Sequence, residues 1–256
     1  MAWAGSIVGG ARRGAAMVLA FALPPRCPGC GGIQAEDHHF CADCWRALDF
    51  AGADACHRCG ATQEIAPAGG ECGACLADPP PWDRMAAAVS YGPIARAIAL
   101  RLKHGGRTGL AETVARQMAR RVEIGPDTLI APVPLHRWRI WRRGYNQSAL
   151  IARRLAAARG GTLALDLLRR DKATPMLRGL GRKARAETVR GAFSLSSDWG
   201  ARVKGGTVLL VDDVLTTGAT ATACAKALKR AGVASVSVVT WARVQRDVGQ
   251  DVDFHS

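Results

Sequence analysis

Val208-Leu209-Leu210-Val211-Asp212-Asp213-Val214-Leu215-Thr216-Thr217-Gly218-Ala219-Thr220 is the stretch that decides how this chain folds. Four apolar residues run straight into two adjacent carboxylates. A Thr-Thr-Gly-Ala-Thr turn follows, and Ala221 to Ala231 then reads as a helix. An apolar run without alternation marks a strand buried on both faces, as in a parallel sheet. The turn supplies hydroxyls and closely spaced main-chain N–H groups, and Gly218 permits a positive φ. The helix start adds unpaired N–H donors and the positive end of a dipole, which suit a phosphate dianion. The carboxylates stand at the strand's carboxyl end, where open α/β sheets bind ligands. They would repel phosphate, but they can accept hydrogen bonds from ribose hydroxyls or help to hold Mg²⁺.

Outward from this segment the pattern alternates. Met85 to Tyr91 reads as a first strand, and Ile94 to Leu102 carries helical spacing up to a stop at Lys103-His104-Gly105-Gly106. Leu110 to Val122 reads as a second helix. Thr128 to Val133 is β-forming and breaks at Pro132-Val133-Pro134. Arg142-Arg143-Gly144-Tyr145-Asn146-Gln147-Ser148 leads into a helix over Ala149 to Ala158, and a short strand follows near Thr162 to Leu167. Gly191 to Leu195 restarts extended structure, and Ala234 to Ala242 closes the series. Such alternation predicts an α/β fold, a mostly parallel sheet with flanking helices and right-handed crossovers. Ala77 to Asp83 is proline-rich and reads as a linker.

Eight of the nine cysteines form four pairs of identical spacing: Cys27/Cys30, Cys41/Cys44, Cys56/Cys59 and Cys72/Cys75. Two intervening residues let both thiolates of a knuckle reach one ion at about 2.3 Å. Disulfides are disfavoured beside a fold of this kind, and a redox Cys-x-x-Cys motif usually occurs once rather than four times. The segment is short of large apolar residues and needs metal to fold. Zinc is the expected cofactor. Sequential pairing, first with second and third with fourth, gives two tandem ribbons and is favoured; interleaved pairing stays open. His38, His39 and His57 read as surface residues. Cys224 stands apart in the helix after the loop and reads as a small buried hydrophobe.

The formal net charge is +14, concentrated in one region. Between Arg137 and Arg190 fifteen Arg and Lys face three carboxylates, a net +12. A polyanion is the natural partner, either a pyrophosphate or a nucleic-acid backbone, although isolated surface arginines account for part of this charge. Trp138 and Trp141 lie among these arginines. Three apart, they share a side if the segment is helical. They either stack on bases or anchor the loop in the core, and the core role is favoured because tryptophans are usually largely buried. No stretch of about 18 apolar residues exists, so no membrane insertion is expected. The run Ala15 to Leu23 is too short to span and reads as a short helix.

The segment from Val208 to Thr220 resembles the phosphoribosyl-pyrophosphate (PRPP) loop of type I phosphoribosyltransferases. With the four Cys-x-x-Cys pairs, Pro132-Val133-Pro134-Leu135-His136 and Arg143-Gly144-Tyr145-Asn146-Gln147 in this order, the chain is identified as a member of the ComF (competence protein F) family. The resemblance covers about Leu19 to Val244. It implies a double zinc ribbon over 25–78 and a type I phosphoribosyltransferase-like domain over 84–244; the residues themselves add an N-terminal helix over 1–24 and a polar, flexible tail over 245–256. It also implies that Asp212 and Asp213 meet the ribose and Mg²⁺, and that Thr216, Thr217, Gly218, Ala219 and Thr220 surround the 5′-phosphate. Arg143, Tyr145, Asn146 and Gln147 are implied near the pyrophosphate, and Arg182 and Arg185 in a mobile hood spanning Thr174 to Phe193. Leu177 and Thr188 depart from the family's hood pattern, where Gln and Asn are usual.

The resemblance implies zinc and magnesium as cofactors and a cytoplasmic location. Two functions of different class follow from it. One is a PRPP-dependent transferase whose acceptor the sequence does not name. The other is an adaptor that handles incoming single-stranded DNA in natural transformation, beside a DNA-uptake helicase, with the PRPP site sensory or vestigial.

Overall fold

The computed structural model describes residues 24–52, 55–62, 70–172, 184 and 187–245. Of the expectations above, the N-terminal helix short of Pro24, Arg182 and Arg185 of the hood, and the tail beyond 245 lie outside the described residues. In chain order the described elements are α1 (Ala42–Arg46), α2 (Gly73–Ala77), β1 (Arg84–Ser90), α3 (Pro93–His104), α4 (Leu110–Ala119), β2 (Leu129–Pro132), α5 (Arg137–Arg143), α6 (Gln147–Arg159), β3 (Thr162–Leu163), β4 (Leu168–Arg170), β5 (Phe193–Leu195), a 3₁₀ turn (Ser197–Trp199), β6 (Thr207–Leu215), α7 (Ala219–Arg230) and β7 (Ser235–Arg243). The chain divides into two compact units between Ala47 and Leu48. The first holds the cysteines up to Cys44. The second holds the remaining cysteine pairs and the sheet.

Five strands form one parallel sheet in the order β1-β7-β6-β2-β3. β6 is central, as its unbroken apolar run requires: Val208 to Val211 are all buried. On one face Val208 and Leu210 pack with Cys224, Ala225 and Leu228 of α7 and with Trp199 and Val203. Leu209 and Val211 alternate to the other face and are equally buried. From β2 the chain proceeds outward to β3, and from β6 it proceeds outward to β7 on the opposite side. The junction of β2 and β6 is therefore the topological switch point, where such sheets leave a crevice.

Three expectations are revised. β6 does not stop at the acidic pair but runs on to Leu215, because β7 continues beside it with Asp212 opposite Thr240 and Leu215 opposite Arg243. The short strand expected near Thr162 to Leu167 is confined to Thr162–Leu163, which joins the main sheet, and a separate strand β4 follows it and pairs antiparallel with β5 in a ribbon of its own. The proline-rich linker is no loose tether, since Trp82 within it is 4% exposed and belongs to the core.

Candidate functional site

The carboxyl ends of β2 and β6 bring the predicted residues together. Asp213 is 4% exposed, and the Lys103 ammonium at the end of α3 lies 2.9 Å from its Oδ2. Burial alone would depress the Lys103 ammonium, but the Asp213 carboxylate outweighs it and holds Lys103 above its ordinary value. Asp212 Oδ1 accepts from its neighbour's main-chain N–H at 2.9 Å and from Ser148 Oγ at 3.1 Å. Burial, reinforced by the adjacent Asp213 charge, pushes the Asp212 carboxyl up to about 7. The two adjacent acids thus differ in their surroundings: one is ion-paired, the other holds its proton to near neutrality.

Directly after β6 comes the turn. Gly218 caps α7 in the left-handed region (φ 77°), and Thr217 Oγ1 accepts from Ala219 N at 3.4 Å. Glycine is required here on two counts. The backbone is left-handed, and a Cβ would sit 3.2 Å from the Trp82 ring. Twelve residues of helix begin at Ala219, so the N–H donors of its first turn face the end of the strand.

The Arg143 to Gln147 element lies across the crevice. Asn146 caps α6 by accepting from Ser148 N, and its Nδ2 donates to the Val133 carbonyl at 3.0 Å. Tyr145 Oη donates to the Leu102 carbonyl at 2.6 Å, and Arg143 donates to Gln147 Oε1. Burial holds the Arg143 guanidinium below its ordinary value, partly offset by the Asp213 carboxylate. The preceding helix α5 departs from expectation. Trp138 and Trp141 are not core anchors: they are 63% and 77% exposed. α5 is short, and its inward stripe consists of the half-buried Arg139 and Arg143, four apart.

The cysteines resolve into two sets, Cys27, Cys30, Cys41 and Cys44, and Cys56, Cys59, Cys72 and Cys75. Pairing is therefore sequential, not interleaved. The ligand atoms of each set lie within 4.8 Å of one another, with sulfur–sulfur separations of 3.7 Å (Cys30–Cys41) and 3.8 Å (Cys59–Cys72). A tetrahedron with arms of about 2.3 Å has edges of about 3.8 Å, so the sulfurs stand where zinc needs them. Main-chain N–H groups support them: Cys41 N donates to Cys27 Sγ and Cys72 N to Cys56 Sγ, both at 3.3 Å. Burial by itself would raise the Cys27 thiol, yet such N–H donors outweigh it and lower the thiol to about 6; the same balance lowers Cys56 to about 7. In each set, then, one sulfur is ready as a thiolate. His57 lies 3.4 Å from Glu71 and outside its cysteine set. Cys224 is fully buried, and burial raises its thiol, which fits a small core residue.

Sequence reasoning missed Lys103, Ser148 and Trp82. Lys103 was legible only as part of a helix stop, one of three basic residues in the last turn of α3, and no signal in the sequence set it apart from Arg101 and His104. Ser148 follows the recognised Asn-Gln pair directly. Trp82 was obscured by the prolines around it.

Comparison with known proteins agrees with this construction. A double zinc ribbon domain matches residues 18–76, and a phosphoribosyl transferase domain matches residues 140–253. Competence protein F of Haemophilus influenzae is 31% identical over 229 residues, 85% of this chain and 96% of that one. The DNA utilization protein YhgH of Escherichia coli (strain K12) is 34% identical over 194 residues, 72% of this chain and 81% of that one. Among solved structures, the allosteric regulatory enzyme of purine biosynthesis aligns at 18% identity with a TM-score of 0.37, over 56% of this chain and 30% of that one, too loosely to carry an argument. Two four-cysteine zinc sites ahead of a parallel phosphoribosyltransferase-like sheet define a class of zinc-ribbon phosphoribosyltransferase-like proteins. Within that class the chain belongs to the competence protein F (ComF) family. Among the described residues no helix is long and apolar enough to cross a membrane.

Proposed function

We propose that Asp212, Asp213 and the turn over 216–220 form a PRPP site, and that this site transfers phosphoribosyl to an acceptor. The observation that carries the reading is the placement of an acidic pair and a glycine-capped helix start together at the switch point of the sheet. Asp212 and Asp213 accept hydrogen bonds from the ribose hydroxyls. Thr216, Thr217, Gly218, Ala219 and Thr220 enclose the 5′-phosphate with hydroxyl and main-chain donors. Arg143 faces the pyrophosphate, with Tyr145, Asn146 and Gln147 fixing its loop; Arg182 and Arg185, outside the described residues, are assigned to the same leaving group by the family resemblance alone. The carboxylate oxygens of Asp212 and Asp213 are hard donors suited to Mg²⁺, which when bound would offset charge on the pyrophosphate. The acceptor attacks the anomeric carbon as the bond to pyrophosphate breaks. The residues' part is to hold the ribose, neutralise the leaving group and exclude water around an oxocarbenium-like transition state. Isothermal titration of PRPP with Mg²⁺ tests this. Binding by the wild type, abolished in a folded Asp212→Asn/Asp213→Asn variant, is expected. Unchanged affinity in that variant refutes the assignment.

A second reading, an adaptor for single-stranded DNA in natural transformation, is supported by the names of the relatives and by the cationic stretch from Arg137 to Arg190. In it the chain works in the cytoplasm beside a DNA-uptake helicase. Binding should be weak and steeply salt-dependent. Arg142→Ala/Arg143→Ala should flatten the slope of log affinity against log salt by about one to two. No binding at low salt would remove this reading and leave the enzyme.

A further inference from the structure

α5 is the most unusual surface of the described chain. Seven residues, Arg-Trp-Arg-Ile-Trp-Arg-Arg, contain four cations, two indoles and no acid. Exposed apolar side chains are ordinary when scattered, but Trp138 (63%), Ile140 (39%) and Trp141 (77%) are contiguous on one short helix. The two indoles meet edge to face, with centroids 5.2 Å apart and planes at 90°. Such a pair stiffens both rings, and their exposure leaves much of each open to a further planar group. Arg137 and Arg142 flank them at the surface, and among the described residues no carboxylate forms an ion pair with either.

We propose that α5 is a base-stacking platform for single-stranded DNA, on which Trp138 and Trp141 take successive bases while Arg137 and Arg142 hold the phosphates between them. This rests on the DNA reading above and assigns it a surface and a strand form. Charge complementarity selects the occupant. A purely apolar protein partner would bury the exposed Arg137 and Arg142 guanidinium groups against no counter-charge, whereas a nucleic-acid strand offers a phosphate per nucleotide and a flat ring beside each. Single-stranded rather than duplex DNA is required, since paired bases do not expose their faces. α5 leads through Arg143 into the loop beside Asp213, so a strand held there would lie next to the acidic pair.

The test compares a labelled oligothymidylate with an abasic strand of equal phosphate number, by fluorescence anisotropy. Oligothymidylate should bind tighter than the abasic strand. Trp138→Ala and Trp141→Ala should each lose about tenfold on oligothymidylate, leave the abasic strand and the salt slope unchanged, and keep wild-type zinc content and melting temperature. Arg137→Ala/Arg142→Ala should weaken both strands alike and flatten the salt slope by about 1.4, two single-strand phosphate contacts. Equal binding of the two strands by the wild type, or wild-type affinity in the double tryptophan variant, overturns the platform while DNA binding itself survives. Tighter binding of duplex than single strand overturns it too. No binding of either strand at low salt removes the platform and the adaptor reading together.

Discussion

The indole Nε1 of Trp82 donates to the main-chain carbonyl of Arg58 at 2.6 Å, and an Arg58 guanidinium nitrogen donates back to the carbonyl of Trp82 at 3.3 Å. Arg58 lies between Cys56 and Cys59, inside a knuckle of the second zinc set. The far edge of the same indole reaches the capping residue Gly218. One buried side chain thus spans from a cysteine knuckle to the turn over 216–220. Met85 N donates to the His57 carbonyl at 2.8 Å, and a Cβ on Gly60 would overlap the Met85 sulfur, so the same knuckle also sits against β1.

Trp82→Ala should therefore destabilise the fold by about 3–5 kcal/mol, through the cavity it leaves. Trp82→Phe keeps most of the ring but strands the Arg58 carbonyl, at a cost of about 1–2 kcal/mol. Both variants should lose zinc to a chelator faster than wild type, and from one site only. Urea denaturation and a timed metal-release assay measure the two effects. Wild-type release kinetics in Trp82→Ala would show that the knuckle does not depend on the indole.

The protein purified with reductant should contain two zinc ions per chain, because two complete four-thiol sets stand at zinc-binding separations. Cys30→Ser and Cys59→Ser should each reduce the content to about one. Since ligands bind as thiolates, release should accelerate as pH falls. A metal assay that finds no zinc, with disulfides in its place, would sink the assignment.

How much of this was legible beforehand depended on whether the cause was local. The strand, acidic pair and turn from Val208 to Thr220 could be read because burial, charge and turn chemistry follow one another along the chain. The cysteine spacing could be read for the same reason. What failed was decided from a distance. β6 runs past its carboxylates because β7 offers a partner as far as Arg243. β4 leaves the main sheet because β5, more than twenty residues away, pairs with it. Trp138 and Trp141 obey a statistical preference for burial only where a helix has a core to face, and α5 buries none of its residues.

The Lys103–Asp213 pair predicts an asymmetric result. Lys103→Met leaves the nearly buried Asp213 carboxylate without its cation. Because Lys103 keeps partial solvent contact, the expected loss is about 1–3 kcal/mol rather than the larger cost of breaking a fully buried pair. Adding Asp213→Asn should recover part of that loss. Urea titration of the four variants gives the coupling. Additive losses would mean that the two groups do not interact.

Asp212 sets a pH dependence whose sign can be worked out. Its carboxyl is raised from 3.8 to about 7 in the folded protein, so between these values the native state holds a proton that the unfolded state has lost. Stability contributed by this group therefore falls as pH rises through that window. Asp212→Asn cannot ionise, so it should raise the melting temperature at pH 7 and lose that advantage near pH 4. Ligand binding should run the other way. If the carboxylate form receives ribose and Mg²⁺, PRPP affinity should fall about tenfold per unit as pH drops below 7, and one proton should leave on binding. Calorimetry in two buffers of different ionisation heat counts that proton. A pH-independent affinity between 5 and 8, together with no gain in melting temperature for Asp212→Asn at pH 7, would remove Asp212 from the titrating role that its burial and its charged neighbour assign to it.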